Sequence, residues 1–318
     1  MILSPAFATI VVGRNMGSLP ESLRTVWGLL KETADEWLED RASELAAALA
    51  FYTVFSFAPI LIIVIAVAST VLGGEAIRET IISQFSDYVG QKGASIIATI
   101  LEQAKQKSHL ATTIGLGTLL FGATAVFTEL QDALNNIWAV KVKPGNFVKV
   151  FFRKRLVSFL MILGMGLLLL ASLTLSAGLA AAANYLGEAL PAASYVLLEV
   201  AQFAASFAVT TVLFATAYKV LPDVEIGWAD VWIGAVITSL LFTIGKTVIG
   251  IYLVKSTVGS AYGAAGSFVI LLVWVYYSAQ VFFLGAEFTQ VYARWRGSPI
   301  VPGENAVRFT TTVHDEGT

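Results

Sequence analysis

The chain of 318 residues contains no cysteine, only two histidines and few charged residues. Without cysteine, disulfides, thiolate metal sites and thiol nucleophiles are all excluded. Asp, Glu, Lys and Arg make up 13% of the chain, about half of the roughly 25% found in soluble domains. The 20 basic and 22 acidic residues nearly cancel, so no global field attracts a polyanion and nucleic acid is not an expected partner.

Apolar residues dominate instead, at 57% of the chain with a mean hydropathy of +0.76. Six stretches carry at most one charge each, and each is long enough for a hydrocarbon core that needs about 20 apolar residues. We therefore predict an all-α polytopic membrane protein with a transmembrane domain over residues 44–293. Its six transmembrane helices are predicted at about 45–72, 110–128, 156–186, 196–218, 230–254 and 264–290.

The segments outside the spans have their own patterns. In residues 1–43, apolar positions from Leu23 to Leu38 repeat every three or four residues, which predicts a cytoplasmic tail followed by an amphipathic helix on the inner leaflet. Two further runs of apolar residues with the same three- and four-residue spacing predict an extracytoplasmic helical hairpin at 75–107. Residues 294–318 are predicted as a cytoplasmic tail, loose after Gly297 because that segment is polar.

The distribution of positive charge sets the orientation. Fourteen of the 20 lysines and arginines fall on the same side as the amino terminus and five on the other side, while Lys246 lies within a span. Because short cytoplasmic loops carry the excess of Lys and Arg, both termini are predicted in the cytoplasm.

Lys246 lies in the fifth predicted span, where a charged side chain costs free energy unless it finds a partner or water. We expect it to face the bundle interior. Glu199, at a comparable depth in the fourth span, is the best partner. A structural salt bridge or snorkelling is one interpretation, and a role in coupling or in binding an anionic headgroup is the other.

Carboxylates at the inner ends of the spans are further candidates for a polar network. Glu287 ends the sixth span, where it opposes the negative end of the helix dipole and should have a compensating partner. Arg41, Lys219 and Arg294 are the candidate partners. Glu44, at the start of the first span, belongs to the same set.

Four polar residues follow the second span on a predicted inner extension of its helix. Asp132, Asn135 and Asn136 are three or four residues apart and share one face, with Glu129 just before them. This pattern indicates an interhelical polar clamp, with a cytoplasmic gate or a cation site as the functional alternative.

A basic band precedes the third span, where positive charges alternate with apolar residues. It predicts anchoring to anionic lipid of the inner leaflet or, in a stronger version, binding of one specific headgroup. Its members are Lys141, Lys143, Lys149, Arg153, Lys154 and Arg155.

Proline and glycine inside the spans carry two further predictions. Pro59 removes a backbone hydrogen bond within the first span, so it predicts either a tolerated bend or a hinge at a substrate path. Glycines such as Gly245 and Gly250 are expected to let helix backbones approach closely.

Three blocks of sequence resemble the YihY/BrkB family of bacterial inner-membrane proteins. They are Leu45–Pro59, Leu130–Trp138, and the pair Tyr262–Gly266 and Gly285–Glu287 that frames the last span. The likeness covers roughly residues 20–296. It implies six spans with both ends inside, in the inner (plasma) membrane of a bacterium. The family once carried the name ribonuclease BN, and some members are thought to act in transport across the envelope, including transport of lipids.

The residue chemistry argues against a nuclease. Metal-dependent phosphodiester hydrolysis needs clustered His and Asp ligands, whereas this chain has only His109 and His314. A magnesium site built from carboxylates alone would be compatible with the composition, but no spacing supports one. We therefore predict no catalytic residues, no metal site and no cofactor.

The leading functional hypothesis is an inner-membrane transport protein that moves a lipid or another amphiphile. Membrane lipids are its expected partners, with envelope or lipid-transport proteins as further candidates, and the sequence does not specify an oligomeric state. One alternative is an ion-coupled carrier of a small solute, with Lys246, Glu199 and Glu287 as the relay. The other is a non-transporting scaffold for envelope assembly, which would hold those charges in static pairs.

Overall fold

The computed structural model describes residues 21–72, 113–143, 192–255 and 266–309, together with helical positions at 82, 98, 156, 160, 161, 163–168 and 178. The four long segments contain six helices and four short strands. The helices are α1 (Glu21–Glu39), α2 (Ala42–Leu72), α3 (Thr113–Ile137), α4 (Ala192–Val220), α5 (Trp228–Lys255) and α6 (Gly266–Arg296). The strands are β1 (Val140–Val142), β2 (Val224–Glu225), β3 (Val301–Pro302) and β4 (Ala306–Arg308).

Three of these helices contain stretches long and apolar enough to cross a membrane: Val200–Val220, Trp228–Tyr252 and Phe268–Arg296. They fall on the predicted fourth, fifth and sixth spans. Helix α2 covers the predicted first span and α3 covers the predicted second span. Most of the predicted third span at 156–186 lies outside the described residues, as does the predicted hairpin at 75–107 apart from two isolated helical positions.

Helix α1 occupies the place of the predicted interfacial helix and exposes an apolar stripe that includes Leu23, Trp27 and Leu30. It ends at Glu39, and the chain then turns into α2 through Arg41, whose φ is +53°. The Arg41 carbonyl accepts the Glu44 N–H at 2.8 Å, which satisfies one of the free donors at the start of α2.

Helix α6 is central to the described part of the fold, because it packs against α1, α2 and α5. The core contains large side chains that are almost completely buried, including Leu134, Trp138, Tyr218 and Phe283. The outward faces are apolar as well: Ile244 on α5 is 56% exposed. Apolar side chains on the outside are what a helix facing lipid requires.

Glycines bring α5 and α6 into close contact. A Cβ built on Gly285 of α6 would lie 1.9 Å from the Thr238 Oγ1 of α5, and one on Gly245 of α5 would lie 2.1 Å from the Tyr277 hydroxyl of α6. A Cβ built on Gly250 would have no atom of another described helix within 4 Å. Gly245 therefore packs as the sequence predicts, whereas Gly250 does not take part in a close helix contact among the described residues.

The segment after Gly297 corrects the prediction of a loose tail. Residues Val301–Pro302 and Ala306–Arg308 form β3 and β4, which pair antiparallel with β2 and β1 respectively. The Gly303 N–H also donates to the Asp223 carbonyl at 2.9 Å. Polarity suggested disorder, but these residues supply the backbone partners that the two interhelical strands need.

Candidate functional site

Three carboxylates meet where α1 turns into α2 beside the end of α6. Glu36 and Asp40 come from the end of α1 and the turn after it, and Glu287 comes from α6. The Asp40 N–H bonds to the Glu36 carbonyl at 2.8 Å, so the turn continues the helical path and places both side chains on one face. One oxygen from each of the three carboxylates lies within 4.8 Å of the others. We call these three residues the junction cluster.

Glu287 is the most buried member of the junction cluster, with 0% exposure. Neither of its carboxylate oxygens accepts a hydrogen bond from an N–H or hydroxyl group in the described part of the chain, and the Asp40 carboxyl faces it. The cations expected to compensate it are engaged elsewhere: Arg41 donates to Glu44, Lys219 donates to the Ile226 carbonyl, and Arg294 pairs with Glu36 and Glu32. The prediction of a direct cationic partner is thus corrected, because α1 presents acidic side chains to this face of α6.

Arg294 is a positive charge in direct contact with the junction cluster. Its guanidinium lies 2.6 Å from a Glu36 oxygen and 3.2 Å from a Glu32 oxygen. The pKa of Asp40 is raised to about 6, mainly by burial and then by the neighbouring Glu36 charge, against the lowering effects of a hydrogen bond with the Glu287 carboxyl and of Arg294. One arginine therefore faces four carboxylates at this junction, and the protonation of Asp40 changes near neutral pH.

A groove of about 360 Å³ runs between α5 and α6. Its residues recur every three or four positions on both helices, so one face of each helix forms a wall. Trp37 of α1 is also part of the lining, one residue after Glu36. The groove is lined by Leu241, Ile244, Gly245 and Val248 of α5, by Tyr277, Gln280, Val281 and Leu284 of α6, and by Trp37.

The groove is apolar except for a few polar atoms. The Trp37 indole N–H and the Gln280 side-chain carbonyl are buried, and neither makes a hydrogen bond with any residue that the structure describes. One is a donor and the other an acceptor. The groove therefore has an apolar wall with one buried donor and one buried acceptor beneath it.

A polar clamp joins the inner extension of α3 to the turn after α4. The Asn135 amide donates to an Asp223 carboxylate oxygen at 2.9 Å, and the Asp223 N–H donates to the Asn135 carbonyl oxygen at 2.7 Å. Gln131 donates to the same carboxylate at 3.2 Å. Of the other residues predicted on this face, Glu129 and Asn136 are half-buried and Asp132 is exposed.

Lys246 is partly buried on α5, next to Gly245 of the groove. Glu199 lies in α4, but its side chain is outside the described residues, so the Lys246–Glu199 pair stays a prediction. Glu44 is exposed and pairs with Arg41. The structure therefore does not bring Glu44 into the junction cluster.

Two members of the basic band, Lys141 and Lys143, lie on or beside β1. The Lys141 ammonium is 4.2 Å from the centre of the Phe309 ring, and the Lys143 ammonium donates to the Glu304 carbonyl at 2.8 Å. Both thus contact the segment that carries β3 and β4. The other members (Lys149, Arg153, Lys154 and Arg155) and the side chain of Pro59 lie outside the described residues.

Glu36, Asp40 and Asp223 are site residues that the sequence prediction missed. Glu36 and Asp40 stand four residues apart on a helix whose amphipathic pattern was clear, so their common face was readable. Nothing local to Asp223 indicates a clamp, because Asn135 is 88 residues away.

Comparison with known proteins gives one family and a set of bacterial relatives. Residues 33–308 match the family described as "Virulence factor BrkB". Proteins named "UPF0761 membrane protein" from Janthinobacterium sp. and Tolumonas auensis are both 28% identical, over 81% of this chain and over 59% and 82% of their own lengths. One from Azotobacter vinelandii is 29% identical over 84% of this chain and 64% of its own length. No solved structure is significantly similar.

Proposed function

The chain belongs to the BrkB family of membrane proteins, and from this premise we propose that it is an inner-membrane transport protein that moves a lipid or another amphiphile across or out of the bilayer. The proposal includes six spans, cytoplasmic termini and no enzymatic activity. The groove between α5 and α6 is the observation that carries it.

The size and position of the groove fit an amphiphile. Its volume of about 360 Å³ falls within the roughly 300–1,000 Å³ typical of small-molecule sites. Leu241, Ile244 and Val248 of its wall are exposed, so within the described residues the groove is open to the surroundings of α5. In a bilayer those surroundings are acyl chains, which can enter laterally without crossing water.

The inner boundary of the groove supports the same cargo. Trp37 comes from α1, whose exposed apolar stripe is typical of a helix lying at the lipid headgroup level. An indole N–H at this depth is a suitable donor for a headgroup or ester oxygen. An amphiphile with its chain between α5 and α6 would therefore have its polar end near Trp37.

Transbilayer movement in liposomes tests this proposal. Purified protein is reconstituted with a fluorescent phospholipid, and external dithionite reports how much of the label reaches the outer leaflet. We expect the wild type to make the inner-leaflet label accessible, and Ile244→Trp, which fills the groove, to return the signal to the protein-free level. Val236→Trp is the matched control, since Val236 is 43% exposed on the same helix but does not line the groove.

Two results would contradict the proposal. One is a wild-type signal no higher than that of empty liposomes. The other is equal loss of movement in Ile244→Trp and Val236→Trp, because this would show that any bulky residue on α5 perturbs the protein.

An ion-coupled carrier is the second candidate function. The buried Glu287 favours it, because a carboxylate within an apolar helix is a common element of proton and cation pathways. Solute uptake that depends on a proton or sodium gradient, and that Glu287→Gln abolishes, would support the carrier instead of lipid movement.

A further inference from the structure

The junction cluster has the geometry of a cation site. Hard divalent cations bind carboxylate oxygens at about 2.0–2.6 Å, so two oxygens on one ion lie at most about 5 Å apart. One oxygen each from Glu36, Asp40 and Glu287 satisfies this limit, since these three atoms lie within 4.8 Å of one another. Three carboxylates from two elements are thus already gathered to the distance that one ion requires.

Glu287 supplies an independent reason to expect a ligand. It is fully buried, and no N–H or hydroxyl donor among the described residues reaches its two oxygens; the Asp40 carboxyl, another acid, faces it instead, although buried polar groups almost always bond to a donor. Removing a carboxylate from water costs several kcal/mol unless another group replaces that hydration. Arg294 does not supply this replacement, because it donates to Glu36 and Glu32.

Charge balance favours a divalent cation over a single proton. Glu32, Glu36, Asp40 and Glu287 bring four negative charges to the junction, and Arg294 brings one positive charge. A proton shared between Asp40 and Glu287, with Arg294 on Glu36, would leave these five side chains with a net charge of −2, whereas a divalent ion would reduce it to −1. One divalent ion can contact all three members of the cluster, and the partial exposure of Glu36 and Asp40 gives it a path from the aqueous side.

We propose that Glu36, Asp40 and Glu287 bind one divalent metal cation of the hard, oxygen-binding class (Mg²⁺, Mn²⁺ or Ca²⁺), which fastens α1 to α6. This site goes beyond the proposed transport function and does not depend on which cargo is moved. It also reverses the expectation from the sequence that the chain has no metal site. Because Trp37 follows Glu36, the ion would in addition fix one wall of the groove.

Manganese binding to the full chain tests the site. Purified protein in detergent is stripped with EDTA, transferred to metal-free buffer at pH 7.5 and titrated with Mn²⁺, while electron paramagnetic resonance measures the free ion. We expect one saturable Mn²⁺ per chain in the wild type and loss of that site in Glu287→Gln and Asp40→Asn. Glu32→Gln is the matched control: it removes an acidic partner of Arg294 from the same helix but leaves the cluster intact.

Thermal unfolding gives a second measurement on the same samples. Mn²⁺ should raise the Tm of the wild type and of Glu32→Gln, and leave that of Glu287→Gln unchanged. Size-exclusion chromatography checks that each variant is folded. If Glu287→Gln does not fold, the comparison is made with Asp40→Asn.

Three outcomes would overturn the proposal. The first is the absence of saturable Mn²⁺ binding to the wild type, and the second is equal loss of binding in Glu32→Gln and Glu287→Gln. The third combines two results: the wild type shows an infrared carboxylic-acid band at pH 7.5 that Glu287→Gln lacks, and it does not bind Mn²⁺. This would show that the cluster holds a proton instead of a metal ion. Lipid movement is not a readout here, so failure of the transport proposal leaves this test intact.

Discussion

At the scale of single residues, the free energy of the junction depends on how the Glu287 carboxylate is neutralised. Without a bound cation, this carboxyl is buried beside Glu36 and Asp40, where it must either stay charged without a hydrogen-bond donor among the described residues or take up a proton. An unsatisfied buried charge destabilises the folded state, and replacing it by a neutral group of the same shape removes that cost.

Glu287→Gln should therefore stabilise the protein when metal is absent. We expect the free energy of unfolding in EDTA at pH 8 to rise by about 1–3 kcal/mol, the scale of one buried unsatisfied polar group. The measurement is thermal unfolding in detergent. Glu32→Gln, at an exposed ion pair, should change stability by less than about 1 kcal/mol. A loss of stability in Glu287→Gln would contradict this account of the residue.

Asp40 gives a pH dependence whose sign follows from its raised pKa. The pKa is about 6 in the folded protein and 3.8 in its ordinary state, so the folded state binds the proton more tightly than the unfolded state. The resulting stabilisation is complete below about pH 4 and is lost as pH rises through 6. In EDTA, stability should fall between pH 4 and pH 7, and Asp40→Asn should flatten this fall. If the stability of Asp40→Asn fell equally steeply between pH 4 and pH 7, the pH dependence would come from other groups.

The polar clamp gives a prediction away from the junction. Asn135→Ala should destabilise the protein by about 1–3 kcal/mol, because it removes two hydrogen bonds and leaves the Asp223 N–H without its acceptor. Asn136→Ala is the control, since the neighbouring residue is not part of the clamp. Unfolding in denaturant compares the two variants. Since Asn→Ala improves helix propensity at both positions, equal losses would show that the clamp is not their cause.

At the scale of elements, the contact between α5 and α6 depends on glycine. Gly285→Ala would place a methyl group 1.9 Å from the Thr238 hydroxyl and 2.5 Å from the Tyr218 hydroxyl, which itself donates to the Phe282 carbonyl at 2.7 Å. We expect a loss of about 1–3 kcal/mol from overpacking. Gly250→Ala meets open space and should be neutral or slightly stabilising. A thermal shift assay that ranked the two variants in the opposite order would contradict the packing described here.

The sequence predicts the helical elements well, because their signals are local. A long apolar run favours a membrane helix, and the three- and four-residue repeat of α1 is visible within 19 residues. The terminal strands were not predicted because β3 and β4 are only two and three residues long, too short to show an alternating pattern. They form by pairing with β2 and β1, whose positions in space depend on the packed helices.

The junction cluster was beyond sequence analysis for a similar reason. Arg294 and Glu36 are 258 residues apart, and no local rule states which face of α6 meets α1. The sequence shows that Glu287 is an unusual carboxylate near the end of a span, but it does not show which residues pack against it. The sequence thus identified the residue and assigned it cationic partners, whereas packing supplied acidic ones.

At the scale of the whole molecule, α6 connects the two features that the proposals use. One end of its groove-lining face, at Leu284, is one helical turn from Glu287 of the junction cluster. Helix α1 contributes to both through Glu36 and Trp37. A change at the junction should therefore alter the groove, which would couple the inner surface of the membrane to the path of the cargo.

The most direct measurement of the central claim is a cryo-electron microscopy map of the protein in a lipid nanodisc. The account predicts elongated density of an acyl chain between α5 and α6, in contact with Ile244 and Leu284, with its polar end at Trp37. A groove filled by protein side chains or by another helix of the same chain, with lipid excluded, would contradict it.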